Sequence, residues 1–133
     1  MKRLTLAVAS LIILSPVLQA ELGPAAYEAM QTKAPEFLEI EVLRVDVEPA
    51  QDPASQTIKA MALVNKVDRS ATSVNPGDII NIVYTLTERP KGWVGPGAIP
   101  LLTEKEKTIA YLKKDEASGD FSPVAGIMSF QNF

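Results

Sequence analysis

The sequence of 133 residues contains no cysteine and no histidine. Without cysteine there is no disulfide, no thiolate nucleophile and no lipid anchor on a processed cysteine. Without histidine the usual neutral-pH base, a common metal ligand and every Ser-His nucleophile arrangement are missing together. Tryptophan occurs once, as Trp93, and Lys plus Arg number 13 against 16 Asp plus Glu. That balance gives no electrostatic drive toward nucleic acid or anionic lipid. The chain must therefore hold itself together by core burial and backbone pairing, and catalysis would have to run on carboxylates or lysines.

One apolar run stands at the N-terminus. Lys2 and Arg3 precede residues 4–14, which are apolar apart from Thr5 and Ser10, and Ser15-Pro16-Val17-Leu18-Gln19-Ala20 follows. A basic start, a short apolar stretch and a helix break before a small residue are the parts of a secretory signal peptide. A spanning helix wants about 20 apolar residues, and this run ends at Leu18 with Pro16 inside it. Residues 1–20 are expected to be a leader, cut before Glu21, and residues 21–133 one exported domain, periplasmic or secreted. The formal charge is −3, and losing Lys2 and Arg3 with the leader brings it to −5. The membrane enters only through the leader, if it stays uncleaved.

The remainder reads as mainly β. Ala25-Ala26-Tyr27-Glu28-Ala29-Met30 are helix formers between Pro24, at a first helical position, and Pro35, which stops the helix. Over residues 36–48, Leu38, Ile40 and Val42 alternate with Glu39 and Glu41, then the apolar set changes phase to Leu43, Val45 and Val47. A strand changes faces in this way only through an extra residue, so a bulge is expected at Val42-Leu43. Residues 49–53 form a loop. A second strand over 56–67 places Ile58, Ala60, Ala62 and Val64 opposite Met61, Leu63 and Val67, and residues 68–74 read as a polar connection. Asn75-Pro76-Gly77-Asp78 supplies proline and glycine where a tight turn wants fixed and positive φ.

Ile80, Ile82, Tyr84 and Leu86 mark a third strand. Residues 88–103 hold too many prolines and glycines for a regular element. Residues 107–114 read as a fourth strand around Ile109 and Tyr111. After a polar turn over 114–120, Ser122-Pro123 leads a fifth strand through Val124 to Phe130, starting at an edge because Pro123 lacks a donor. A curled first strand and four more with short turns predict a small five-stranded antiparallel barrel of the OB type, with a short N-terminal helix.

The order of parts resembles a known family. Val42-Leu43-Arg44-Val45 in a first strand, Asn75-Pro76-Gly77-Asp78 leading into Ile82-Val83-Tyr84, Gly92-Trp93-Val94-Gly95-Pro96, Pro100-Leu101-Leu102, Ala110-Tyr111-Leu112 and Pro123-Val124-Ala125-Gly126 before Ser129-Phe130 are similar to netrin-like domains. Those domains share an OB barrel with the tissue inhibitors of metalloproteinases. The resemblance implies that fold over most of residues 21–133, in a cysteine-free bacterial form. A protease-inhibitor role is the alternative function it implies. The family's inhibitors, however, present an N-terminal cysteine to a catalytic zinc, and Glu21 offers no thiolate.

Three features compete as chemistry. Glu104 and Glu106 could pair as acid and base, but two apart on an extended segment, beside Lys105 and Lys107, they read as a solvated charge run. Asp115, Glu116, Ser118 and Asp120 carry oxygen ligands in one turn, yet the spacing is not that of a calcium loop and these are ordinary turn residues. Gly92, Gly95 and Gly97 precede no helix that could face a phosphate. No catalytic group, metal or cofactor is expected. Trp93 lies in the proline- and glycine-rich loop with Arg89 and Lys91 upstream and Ile99 and Leu101 downstream. It reads either as a stacking plate for a partner or as a plug for the barrel end. Tyr84 and Tyr111 read as inward or interface residues. The expected function is a non-enzymatic binding module for a protein or carbohydrate partner, with Arg89, Lys91, Trp93 and Leu101 as the partner-binding residues and no nucleic-acid role.

Overall fold

The computed structural model describes residues 23–89, 91–92 and 97–133. The expected leader and Trp93 lie outside the described residues. The chain runs from helix α1 (Pro24–Lys33) through β1 (Glu36–Pro49), β2 (Ser55–Ser70), β3 (Ile79–Thr87), β4 (Lys107–Lys114) and β5 (Phe121–Pro123), then a 3₁₀ turn (Gly126–Met128) and β6 (Phe130–Asn132). No helix among the described residues is long and apolar enough to cross a membrane.

The strands close in the order β1-β2-β3-β5-β4 and back to β1, a five-stranded OB-like barrel. It is mixed, not all-antiparallel as expected: β5 runs parallel to β3 through the single pair Ile82 with Phe121. The fifth strand is also not continuous. Gly126 takes φ +53° and starts the 3₁₀ turn, which splits the segment into two three-residue strands. Both pieces lie on the edge of β4 opposite β1, Phe121–Pro123 at residues 112–114 and Phe130–Asn132 at residues 108–110. Ser129 holds the break closed, its Oγ accepting the buried Ala125 N–H at 2.9 Å.

The expected bulge is present. Val42 pairs with Ala62 and Arg44 with Met61, so Leu43 is the extra residue. Two further shifts lie on β2, which runs three residues beyond Val67 to Ser70. Asn65 is skipped between Val64 and Lys66, and Asp68 between Val67 and Arg69. The first of these turns Val67 from the outer face to the core side, against the sequence pattern, and it packs on the core cluster. Each extra residue adds twist. Three of them let two long strands wrap far enough to close so small a barrel.

Leu38, Ile40, Val42, Ile58, Ala60, Ala62, Val64, Ile82, Ala110 and Leu112 face inward and are almost wholly buried. A smaller cluster lies outside the wall, where Ala34, Tyr111 and Ala125 are buried with Phe37, Met30, Ile109 and Val124 against them. Here α1 docks. Arg69 Nη2 donates to the Gln31 carbonyl at 2.7 Å, and Gln31 Nε2 donates to the Met128 carbonyl at 2.9 Å. The Asn75–Asp78 turn forms as its sequence predicts. Gly77 has φ +92°, Asp78 N–H donates to the Asn75 carbonyl, and Asp78 Oδ2 accepts the Asn75 N–H.

Candidate binding site

One end of the barrel is built by the tip of the β1–β2 hairpin, the end of β3 and the chain over residues 97–106. Asp52 closes the hairpin tip by accepting the Ala54 N–H on Oδ1 and the Ser55 N–H on its carbonyl. The tip is fastened to β3 by the Glu88 N–H on the Ala54 carbonyl at 2.7 Å, and by the hydroxyls of Ser55 and Thr87 at 3.0 Å. Across this end runs the proline-rich segment. Gly97 passes so close to the 3₁₀ turn that a methyl there would stand 2.7 Å from Ile127 Cδ1.

Tyr84 fixes the segment from inside. Its hydroxyl donates to the Pro100 carbonyl at 2.8 Å and accepts the buried Leu102 N–H at 3.1 Å. The chain alternates around this anchor: Ile99 packs on the core, Leu101 is 48% exposed and Leu102 is buried. Leu101 therefore faces outward between two residues turned to the core, and the reading of Trp93 as a plug lies outside the described residues. Beyond Leu102, the Lys105 N–H donates to the Val42 carbonyl and the Val42 N–H to the Glu106 carbonyl, tying the segment to β1.

Between hairpin tip and segment lies a groove of about 370 Å³, lined by Pro53, Gln56, Leu86, Glu88, Ala98 and Ile99 among others. Its lining mixes apolar Leu86, Ala98 and Ile99 with polar Gln56, Thr87 and Glu88. Arg89 and Lys91, on the chain that leaves β3, are exposed. None of the expected partner-binding residues Arg89, Lys91 and Leu101 lines this groove, although Arg89 follows its Glu88 in the chain and Leu101 stands two residues past its Ile99, and Trp93 lies outside the described residues. No family model, curated protein or solved structure matches the chain.

Glu106, Asp115 and Ser118, from the two carboxylate groups singled out in the sequence, hydrogen-bond within their own turns. Glu104 and Glu106 do not share an extended segment: Lys105 has φ +68°, and the Glu106 N–H closes a turn onto the Thr103 carbonyl. Glu106 Oε2 accepts the Thr103 N–H at 2.9 Å. In the 114–120 turn, Asp115 Oδ1 accepts the Ala117 N–H and Ser118 Oγ accepts the Asp120 N–H, so these oxygens serve the backbone of the turn.

A second hollow, of about 300 Å³, lies under α1 between Glu28, Gln31, Thr32, Phe37, Arg69 and Tyr111. Phe37 and Tyr111 stack with ring centroids 4.8 Å apart, and the Arg69 guanidinium stands 5.7 Å from the Phe37 ring. Sequence reasoning did not single out Arg69. The signal available was that Phe37, Ile109 and Tyr111 lie in the outward phase of their strands, so something had to cover them. Arg69 is turned to the fold, holding the helix by Gln31, and this hollow is the helix seat.

Burial raises the Tyr84 hydroxyl above the usual tyrosine pKa, and it does the same to Tyr111. Because the folded values are raised, the unfolded chain ionises first, and stability from these residues is complete below pH 10 and lost above it. Tyr84→Phe should cost about 1–3 kcal/mol at neutral pH, because the Leu102 N–H is left buried without an acceptor. It should also lessen the fall in stability above pH 10. Urea denaturation at pH 7 and across the alkaline range checks both effects.

Proposed function

We propose that the chain is an exported, non-enzymatic binding module of the netrin-like OB type, taking a protein or carbohydrate partner at the loop end of its barrel. The observation that carries this reading is the groove lined by Leu86, Glu88 and Ile99 among others, next in the chain to exposed Arg89 and Lys91 and two residues before exposed Leu101. Convergent polar groups around an apolar concavity are the usual form of a ligand site. The Tyr84 anchor supports it as well, since its bonds at Pro100 and Leu102 hold the backbone on both sides of exposed Leu101. OB barrels use their loops and one strand face for oligosaccharides and other chains.

Affinity capture of envelope proteins and binding to an array of defined oligosaccharides, compared across wild type, Leu101→Asp, Lys91→Glu and Trp93→Ala, tests the reading. Folded variants should lose at least about tenfold in affinity for whatever wild type retains. If all three retain every partner undiminished, the loop end is not the interface.

A further inference from the structure

β1 is longer than the strand that flanks it on the β4 side. β4 pairs with it only from Glu36 to Glu41, and the last backbone bonds on that side are those of Val42 with Lys105 and Glu106. From Arg44 to Pro49 the ladder partner among the described residues is β2 alone, and Leu43, the extra residue of the bulge, has no ladder partner. This leaves a stretch of strand edge with backbone donors and acceptors unpaired by any described residue. Such edges are normally blunted by charge, proline or a short length. Here Pro49 stands only at the end, a bulge lies at Leu43, the charges of Arg44 and Asp46 are of opposite sign, and Leu43 and Val47 are 42% and 47% exposed.

The residues of this edge are symmetric in character about Val45. Leu43 and Val47 are apolar, Arg44 is positive and Asp46 negative. In an antiparallel strand pair related by a two-fold axis, residues equidistant from the axis face each other. With the axis at Val45, Leu43 meets Val47 of the partner subunit and Arg44 meets Asp46 of the partner subunit, and both contacts recur by symmetry. A parallel or shifted neighbour gains no such match. Within one chain the same two charges already lie side by side, Arg44 Nε at 3.1 Å from Asp46 Oδ2, so a second chain would turn one exposed ion pair into an alternating set of four charges.

We propose that the free edge of β1 pairs antiparallel with the same edge of a second copy of this chain, joining two barrels through residues 43–47. The edge lies on β1 rather than on the groove of the loop end, so the inference stands independently of the partner-binding reading.

Sedimentation equilibrium tests it. Wild type should rise from the monomer mass toward twice that value between about 10 µM and 1 mM. Arg44→Asp sets a carboxylate against the acidic side chain it faces across the axis, and Asp46→Arg likewise sets base against base, so each variant alone should stay monomeric. Mixed in equal amounts, the two variants should recover the dimer mass, because all facing charges are then opposite. Val47→Lys, at an exposed position that leaves the core intact, should weaken association at least about tenfold. A wild type that is monomeric throughout, a single charge variant that associates like wild type, a folded mixture that stays monomeric, or an unchanged Val47→Lys overturns the proposal. Circular dichroism establishes that each variant is folded.

Discussion

Leu38→Ala is expected to lower the unfolding free energy by about 3–4 kcal/mol, whereas Leu43→Ala, further along the same strand, should cost less than about 1 kcal/mol. Leu38 is completely buried, paired with Ala110 on β4 and Val67 on β2. Its neighbour on β4 is too small to move into a cavity, so the truncation loses both transfer energy and packing. Leu43 is the extra residue of the bulge and is 42% exposed. A domain of this size has about 5–15 kcal/mol in total, so the first substitution removes a large share of it. Urea denaturation reads both, and an unchanged slope with a lowered midpoint would identify the loss as one of stability alone. Equal losses at the two leucines would contradict the assignment of the bulge.

The second large effect concerns a carboxylate in the core. Glu36 continues the inward phase of Leu38, Ile40 and Val42 and is wholly buried. Oε1 accepts the Thr72 hydroxyl at 2.7 Å, and Oε2 receives no hydrogen bond from the described residues. Burying a carboxylate with so little compensation is unfavourable, and replacement by an apolar residue of similar volume is often neutral or stabilising. Glu36→Met should therefore stabilise the domain by about 1–2 kcal/mol. Thr72→Val, which strips the carboxylate of that donor, should destabilise it by about 2–3 kcal/mol. The double variant separates the two causes. With the carboxylate gone the Thr72 hydroxyl has nothing to donate to there, so Thr72→Val in the Glu36→Met background should cost close to nothing, a coupling of about 2 kcal/mol. Additive changes would show that Thr72 acts through some other contact.

Much of the barrel is legible in the sequence because its signals are local. Pro24 and Pro35 bracket the helix, the change of phase at Val42-Leu43 needs an extra residue, and Pro76-Gly77 accepts one kind of turn. The fourth strand has the bounds its pattern predicts. What escapes depends on partners distant in the chain. Val124 to Phe130 reads as a strand, but Gly126 adopts a left-handed φ, and the residues about it reach β4 only as fragments. The alternation of β2 puts Val67 on the wrong face, because the extra residue at Asn65 shows only when β2 is laid against β1. Arg69 sits in a stretch that reads as a connection, and its role requires the helix that lies over Phe37 and Tyr111. The candidate site is legible as a loop of unusual composition. Its groove is not, because that needs the Glu88 to Ala54 and Tyr84 to Pro100 hydrogen bonds to bring hairpin tip and loop together.

The parallel meeting of β3 and β5 fixes the order in which the barrel can assemble. The β1–β2 and β2–β3 ladders join neighbours in sequence and can zip progressively from their turns. Closure at Ile82 and Phe121 has one paired position and must wait until the proline-rich segment and β4 have been brought round. Loop entropy has to be overcome there before any contact offsets it. Pairing at this seam is therefore expected to follow the β1–β2 and β2–β3 ladders.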